Sequence, residues 1–402
     1  MKSILLVTNI YPMPDKSYDG TPVCHYFTRE WKQMGYNVKV VHFITRFPRI
    51  FYLFGKLFGE IIKAKTGNVV FTNVPNKYIK YSLDEIPIIL MPLFKLIPHS
   101  RFSNAVVDTA LKSLLKELES EQFHPDIITG HFALPQLQMI HLLKQKYPNA
   151  KTCLVLHGEC LSIPNIFPEY KTYFKSIDVW GFRSEAFRTE FESYFGKREK
   201  SFIAYSGIPE KYSQSTIPKN FSNGINHFSF LGSLYKLKRV SDTIHALKIV
   251  FGDDKFRFDI IGEGAERLNI EYLIKKFGLK SNIKLHGNLK RDDAQLLLAE
   301  SQCFIMVSSR EAFGLVYIEA MAKGCITIGT RGQGIDGVII HSENGFLCNS
   351  SNIDELSNLI KEIIDLPSSE LVRISNNAIE TARQLTERKV AEHYIDSIIN
   401  EY

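Results

Sequence analysis

The stretch from Val307 to Gly334, VSSREAFGLVYIEAMAKGCITIGTRGQG, organises the rest of the chain. The apolar run Cys303–Val307 predicts a short buried strand, and Leu315–Ala322 has the spacing of a helix. Glu311 therefore falls on the strand-to-helix turn and Glu319 inside the helix, about 12 Å further along a helical axis. Because a helix N-terminus attracts phosphate, one carboxylate on each side of it suits a nucleotide-diphosphate sugar.

The pattern E-A-F-G-L-x-x-x-E-A-M-A-x-G after an apolar strand resembles the E-x7-E signature of the retaining family-4 glycosyltransferases. The resemblance extends over nearly the whole chain. It implies an α/β protein of the GT-B fold, with two Rossmann-like domains facing each other across a cleft and a C-terminal helix that crosses back to the first domain. It assigns Glu311 to the donor sugar hydroxyls and Glu319 to the ribose hydroxyls. The resemblance also places a short segment beside the donor diphosphate: Phe313, Gly314, Leu315 and Val316.

Length and composition are those of a globular protein. With 402 residues the chain is long enough for two or more domains. The net charge of +6 is too small to argue for a nucleic-acid partner, but it fits anionic substrates or a membrane surface. The six cysteines lack a metal-binding spacing, which favours reduced buried thiols in a cytosolic protein. The first apolar run is too short for a signal peptide, and no run is long enough to span a membrane.

The first half alternates strands and helices. Strand Ser3–Thr8, a helix ending near Met34 and strand Val38–Phe43 predict a βαβ unit. Members of the family have a glycine-rich turn in the first loop, close to the donor diphosphate. Gly20 is similar in position, although many relatives have two glycines there.

Residues 44–105 depart from this alternation. Between positions 46 and 101, nine cations stand against three acids, and aromatic residues are interleaved with them. Such a basic, aromatic segment predicts an interfacial contact with an anionic membrane. The alternative is that the aromatic residues pack as core beneath the sheet and the lysines form a solvated rim.

Two histidines follow predicted strands. His131 ends the strand Asp126–Gly130, and His157 follows Lys151–Leu156. Ligands of open α/β sheets bind at the carboxyl ends of the strands, which is where both histidines fall. The resemblance gives His157 the family's role of contacting the donor sugar, and His131 is an acceptor-side candidate.

The second half begins after Ser206-Gly207-Ile208-Pro209, which is similar to the family's linker. Relatives often carry an arginine followed five residues later by a lysine, and both neutralise the donor diphosphate. Here Ser233 replaces the arginine, whereas Lys238 keeps its place. Arg239 is an open candidate for the missing charge. The G-x-G turn of Gly262 and Gly264 is similar to the family's turn beside the nucleotide.

These assignments predict three parts of the chain. Residues 1–207 form an acceptor-side Rossmann-like domain with a basic aromatic insert at 44–105. Residues 208–385 form the domain that binds the nucleotide sugar, and 386–402 form a helix that packs on the first domain.

The resemblance implies a retaining hexosyltransferase with His157, Glu311 and Lys238 as catalytic residues. No Asp-x-Asp occurs, so neither a metal nor another cofactor is expected, and Lys238 and the helix N-terminus would stabilise the leaving diphosphate. The acceptor would be lipid-linked or a saccharide, in cell-surface polysaccharide assembly on the inner face of the cell membrane. Two alternatives remain: a sugar-nucleotide epimerase of the same fold, and a non-catalytic nucleotide-sugar sensor.

Overall fold

Two largely parallel β-sheets organise the chain, each in its own unit. The computed structural model describes residues 1–13, 22–52, 74–96, 100–158, 162–214 and 219–400. The first unit comprises Met1–Arg183, Arg188–Ala204 and Ala391–Tyr402. The second comprises Ser184–Phe187 and Tyr205–Val390.

The first unit contains an eight-stranded sheet with the order β3-β4-β2-β1-β5-β6-β7-β8. All neighbouring strands are parallel except β3 and β4. Strand β1 is apolar and almost wholly buried, as expected of a parallel strand that is covered on both faces. The strands are β1 Ser3–Thr8, β2 Asn37–Arg46, β3 Ile79–Leu83, β4 Ile86–Phe94, β5 Ile127–His131, β6 Lys151–Leu156, β7 Val179–Phe182 and β8 Ser201–Ile203.

Helices connect these strands. Ser103 caps the second helix by accepting a hydrogen bond from the backbone N–H of Val106, which satisfies one of the otherwise unpaired donors of the first turn. Among the described residues of this half, the helices with both ends defined are α1 Val23–Gln33, α2 Asn104–Ser120, α3 Gln136–Lys146, α4 Ile163–Ile166, α5 Tyr170–Phe174 and α6 Glu185–Phe195.

Part of the basic aromatic segment belongs to this sheet. Strands β3 and β4 form an antiparallel hairpin whose turn residues, Asp84 and Glu85, both have positive φ. Strand β4 also pairs in parallel with β2, and its apolar side chains are mostly buried. The aliphatic residues of β4 therefore pack as core, but Phe94, the aromatic residue of this strand, is 39% exposed. Residues 53–73 and 97–99 lie outside the described ranges.

The second unit contains a six-stranded parallel sheet with the order β11-β10-β9-β12-β13-β14. The strands are β9 His227–Leu231, β10 Arg257–Ile261, β11 Ile283–Gly287, β12 Cys303–Ile305, β13 Ile326–Thr330 and β14 Phe346–Cys348. The helices are α7 Glu210–Gln214, α8 Val240–Phe251, α9 Arg267–Lys276, α10 Arg291–Glu300, α11 Leu315–Ala322, α12 Ile353–Asp365 and α13 Ser368–Gln384.

The last helix, α14 Glu387–Ile399, belongs to the first unit from Ala391 onward. The indole N–H of Trp31 in α1 donates a hydrogen bond to the carbonyl of Ala391. Tyr394, which is fully buried, packs against the rings of Phe27 and Phe202. Within the described ranges, none of the helices combines the length and apolar character needed to cross a bilayer.

Candidate functional site

The second-unit site begins at the N-terminus of α11. Gly314 precedes the helix with φ of 82° in the left-handed region, which favours glycine. A Cβ atom at this position would lie 2.6 Å from the ring of Tyr317. The short turn brings Glu311 close to the first N–H groups of the helix, which point along its axis and carry partial positive charge.

Glu311 forms an ion pair with Lys238. Lys238 ends a 3-10 turn, Lys236–Lys238, and that turn is tied to the Glu311 segment by a 2.8 Å hydrogen bond from the N–H of Ser309 to the carbonyl of Leu237. The side chain of Glu311 is 14% exposed and that of Lys238 is 23% exposed, so water screens the pair only in part. The two residues predicted to hold the sugar and the diphosphate therefore lie side by side.

Glu319 lies in the second turn of α11 and is 3% exposed. Its carboxylate accepts hydrogen bonds from two side chains of α10, Arg291 and Gln295. Arg291 also lies over the ring of Tyr212, 5.3 Å from the ring centroid. These contacts hold the Glu319 carboxylate in one orientation.

Gly262 and Gly264 allow two loops of the second unit to touch. A Cβ atom on Gly262 would lie 1.9 Å from the carbonyl oxygen of Gly232, and one on Gly264 would lie 2.5 Å from that of Leu234. The N–H of Leu234 also donates to the carbonyl of Glu263 at 2.9 Å. The G-x-G turn thereby supports the loop that leads to Lys238.

Arg239 does not join the Lys238–Glu311 pair. Its backbone is left-handed, with φ of 55°, and its guanidinium lies 4.0 Å from the carboxylate of Asp242 on α8. Ser233, at the position where relatives carry an arginine, is exposed. Gly20, the predicted glycine of the first loop, lies outside the described residues.

The first unit brings His131 and His157 together. Nδ1 of His131 lies 3.0 Å from Nε2 of His157, and Phe132 stacks on the His157 ring with 3.9 Å between centroids. Nε2 of His131 lies 3.3 Å from the hydroxyl of Tyr394. The two histidines therefore form one hydrogen-bonded pair at the carboxyl edge of the sheet.

Both histidines are held neutral. Burial, together with the cation of Arg183, lowers the pKa of His131 to about 3. Burial lowers the pKa of His157 well below its ordinary value, and Arg183 and His131 add to this effect. A neutral imidazole has one donor and one acceptor nitrogen. The tautomer of one ring therefore determines the tautomer of the other through the hydrogen bond between them.

The sequence did not indicate several residues of the two sites. Arg291 and Gln295 belong to no recognisable sequence motif. They reach Glu319 only because α10 packs beside α11. Tyr394 falls in the predicted C-terminal helix, and nothing in the sequence places its hydroxyl beside His131.

Seven of the nine cations of the basic aromatic segment fall into three groups. Lys80 pairs with Glu117 and Glu121 of α2, and Lys95 is buried with its ammonium 4.3 Å from the centroid of the Phe102 ring. Lys80 is therefore already paired with acidic residues at the surface, and Lys95 is withdrawn from the surface. Arg49 and Lys77 are exposed. The third group, which the membrane prediction also uses, lies outside the described residues: Lys56, Lys63 and Lys65.

An exposed surface nevertheless forms where β2 and β4 end. Arg46 pairs in register with Phe94, and the next residue, Phe47, stacks its ring on that of Phe51 with 5.3 Å between centroids. Two side chains of this surface, Ile50 and Leu96, are 62% and 65% exposed. We name the surface the β2–β4 patch and define it as Arg46, Arg49, Ile50, Phe51, Phe94 and Leu96.

Comparisons with known proteins agree with the fold. A family model described as Glycosyl transferases group 1 matches residues 215–381. N-acetyl-alpha-D-glucosaminyl L-malate synthase of Bacillus anthracis is 27% identical over 71% of this chain and 76% of its own length. The lipopolysaccharide core biosynthesis glycosyltransferase LpsE of Rhizobium meliloti is 26% identical over 34% of this chain and 39% of its own.

Among solved structures, Anabaena HepE in complex with UDP superposes with a TM-score of 0.66 at 16% identity. The superposition covers 98% of this chain and 99% of HepE. The chain therefore has the GT-B fold, and with its group 1 domain it is a glycosyltransferase.

Proposed function

We propose that the chain is a retaining, metal-independent glycosyltransferase of the family-4 type. It would transfer a sugar from a nucleotide-diphosphate sugar to a lipid-linked or saccharide acceptor in cell-surface polysaccharide assembly. The observation that carries this proposal is the pairing of Lys238 with Glu311 at the N-terminus of α11, with Glu319 held one turn further on.

The proposal assigns a separate role to each of these residues. Lys238 and the N–H groups of the first turn of α11 stabilise the leaving diphosphate by fixed positive charge. Glu311 accepts hydrogen bonds from the sugar hydroxyls, and Glu319 accepts them from the ribose hydroxyls. The HepE structure, which contains UDP, supports a nucleotide sugar as donor.

The test separates the two carboxylates. Glu319→Gln should weaken the binding of free nucleoside diphosphate by about tenfold to a hundredfold, because a charge-assisted hydrogen bond contributes roughly 1.5–3 kcal/mol. Glu311→Gln is the matched control: it should leave nucleoside diphosphate affinity unchanged and weaken only the nucleotide sugar. Titration calorimetry with both ligands on both variants measures the difference.

Equal affinity of the folded Glu319→Gln protein and the wild type for nucleoside diphosphate would remove the ribose assignment. Product analysis then separates the alternatives. A transferase forms a glycosylated acceptor only when acceptor is present, whereas an epimerase converts the nucleotide sugar without one. A sensor binds the nucleotide sugar and forms neither product.

The same proposal places the chain on an anionic membrane through the β2–β4 patch. Two arginines border four partly exposed apolar side chains, and this composition suits the boundary between headgroups and acyl chains. A lipid-linked acceptor would lie in the same membrane. The name of the Rhizobium meliloti relative, which refers to lipopolysaccharide core biosynthesis, supports this class of acceptor.

We expect the protein to co-sediment with vesicles that contain anionic lipid, and less so as salt rises, because each cation near the surface contributes about 1 kcal/mol. Reversing Arg46 and Arg49 to Glu should abolish the binding. The matched control reverses two exposed lysines of the second unit, Lys275 and Lys276, and should bind as the wild type does. Equal loss in both variants, or equal binding to neutral vesicles, would contradict docking through this patch.

A further inference from the structure

A chain of hydrogen bonds connects the last helix to His157. The hydroxyl of Tyr394 lies 2.7 Å from Oγ1 of Thr129 and 3.3 Å from Nε2 of His131. Nδ1 of His131 lies 3.0 Å from Nε2 of His157. Thr129, His131 and Tyr394 are all fully buried, so water does not compete for these bonds.

The chemistry of these groups determines which one donates in each hydrogen bond. A phenol is a better hydrogen-bond donor than an imidazole N–H, and the bare nitrogen of an imidazole is a better acceptor than a phenol oxygen. Tyr394 therefore donates to Nε2 of His131, and Thr129 donates to the phenol oxygen. Because His131 is neutral, its single proton is on Nδ1, and it donates to Nε2 of His157.

The His157 proton is thereby fixed on Nδ1. Phe132 stacks on the ring and restricts its plane. Among the described residues, no side chain or backbone group makes a hydrogen bond to Nδ1 of His157. The ring therefore presents an N–H donor to whatever binds at this edge of the sheet.

We propose that Tyr394 and His131 are positioning residues that set the tautomer of His157 from the C-terminal helix. This inference rests on the proposed function in one respect: the ligand that receives the Nδ1–H bond is an oxygen of the donor sugar. The proton arrangement itself depends only on the first unit. Tyr394 reaches the site from a position 263 residues away from His131 in the sequence.

The experiment reads the tautomer directly. The full chain is labelled with ¹⁵N-histidine, and long-range ¹H–¹⁵N spectra are recorded at neutral pH, with His157→Gln used to assign the resonances. In the wild type, we expect both His131 and His157 to be protonated on Nδ1. In Tyr394→Phe, which keeps the buried ring and removes only the hydroxyl, both should become mixtures of tautomers.

Two further variants separate this role from a structural one. Thr129→Val leaves the phenol–imidazole bond in place, so its His157 spectrum should match that of the wild type. His131→Asn can donate to His157 without Tyr394, so adding Tyr394→Phe to it should change nothing at His157. The thermal midpoint of each variant shows whether the fold is intact.

A wild-type His157 protonated on Nε2, or a Tyr394→Phe spectrum equal to that of the wild type, would overturn the inference. Neither result depends on sugar transfer. If the tautomer responds as expected but kcat for transfer does not fall in Tyr394→Phe, the positioning of the proton stands and the sugar-binding role of His157 fails.

Discussion

Replacing Lys238 with Met should lower kcat/KM for sugar transfer by about 10²–10³, because one preorganised group opposite the developing negative charge contributes this much. Met keeps a long flexible side chain and removes only the charge. The free energy of unfolding should also fall, since Glu311 is only 14% exposed and would lose its partner. Steady-state kinetics with a radiolabelled donor measures the effect, with and without an excess of chelator.

A second variant separates activity from stability. Lys238→Met combined with Glu311→Gln removes both charges, so it should recover much of the lost stability and none of the lost activity. Wild-type turnover should continue in excess chelator, because Lys238 and the helix N-terminus supply the positive charge. Unchanged activity in Lys238→Met, or wild-type turnover that stops in chelator and returns with one added metal, would contradict the proposal.

The part of the site that could be predicted from the sequence is the part built from neighbours in the chain. Helix α11 was predicted as Leu315–Ala322, and the structure has the same bounds. The spacing of Glu311 and Glu319 on that turn and helix follows from helical geometry alone. Lys238 could be assigned only through resemblance, because 73 residues separate it from Glu311.

The hairpin of β3 and β4 shows why the first unit was harder to predict. Pro87 and Pro92 argue against a central strand, since proline cannot donate to a neighbour. In the structure, Pro87 lies where β4 has only β3 beside it, and Pro92 lies where it has only β2. Each proline therefore occupies a position with a single neighbouring strand, which no local pattern reveals.

Counting charges along the sequence also leaves out contacts between distant residues. Lys80 counted toward the basic segment, but its ammonium contacts Glu117 and Glu121, which come after that segment in the sequence. The Tyr394–His131 contact is another such case, since it exists only because α14 packs on the first unit. Contacts between distant parts of the chain complete both sites, and spacing along the sequence does not encode them.

The segment Gly332–Gly334 provides the last prediction, because it clamps the turn that carries Glu311. The side-chain oxygen of Gln333 accepts a 2.9 Å hydrogen bond from the N–H of Glu311, and the N–H of Gly334 donates to the carbonyl of Glu311 at 3.0 Å. A Cβ atom on Gly334 would lie 2.2 Å from the carbonyl oxygen of Ala312. That contact is with backbone, so no rotation of a side chain can relieve it.

Gly334→Ala should therefore displace the peptide that leads into α11. We expect it to cost about 3 kcal/mol, which lowers the thermal midpoint by roughly 6–12 °C, and to abolish detectable binding of nucleoside diphosphate. Gly332→Ala is the matched control. A Cβ atom there meets nothing within 4 Å, and only its φ of 71° opposes the change, so a loss of about 1 kcal/mol and normal binding are expected. If both variants lost the same small amount of stability and bound nucleoside diphosphate equally well, the close approach at Gly334 would not be what holds Glu311 and the helix N-terminus in place.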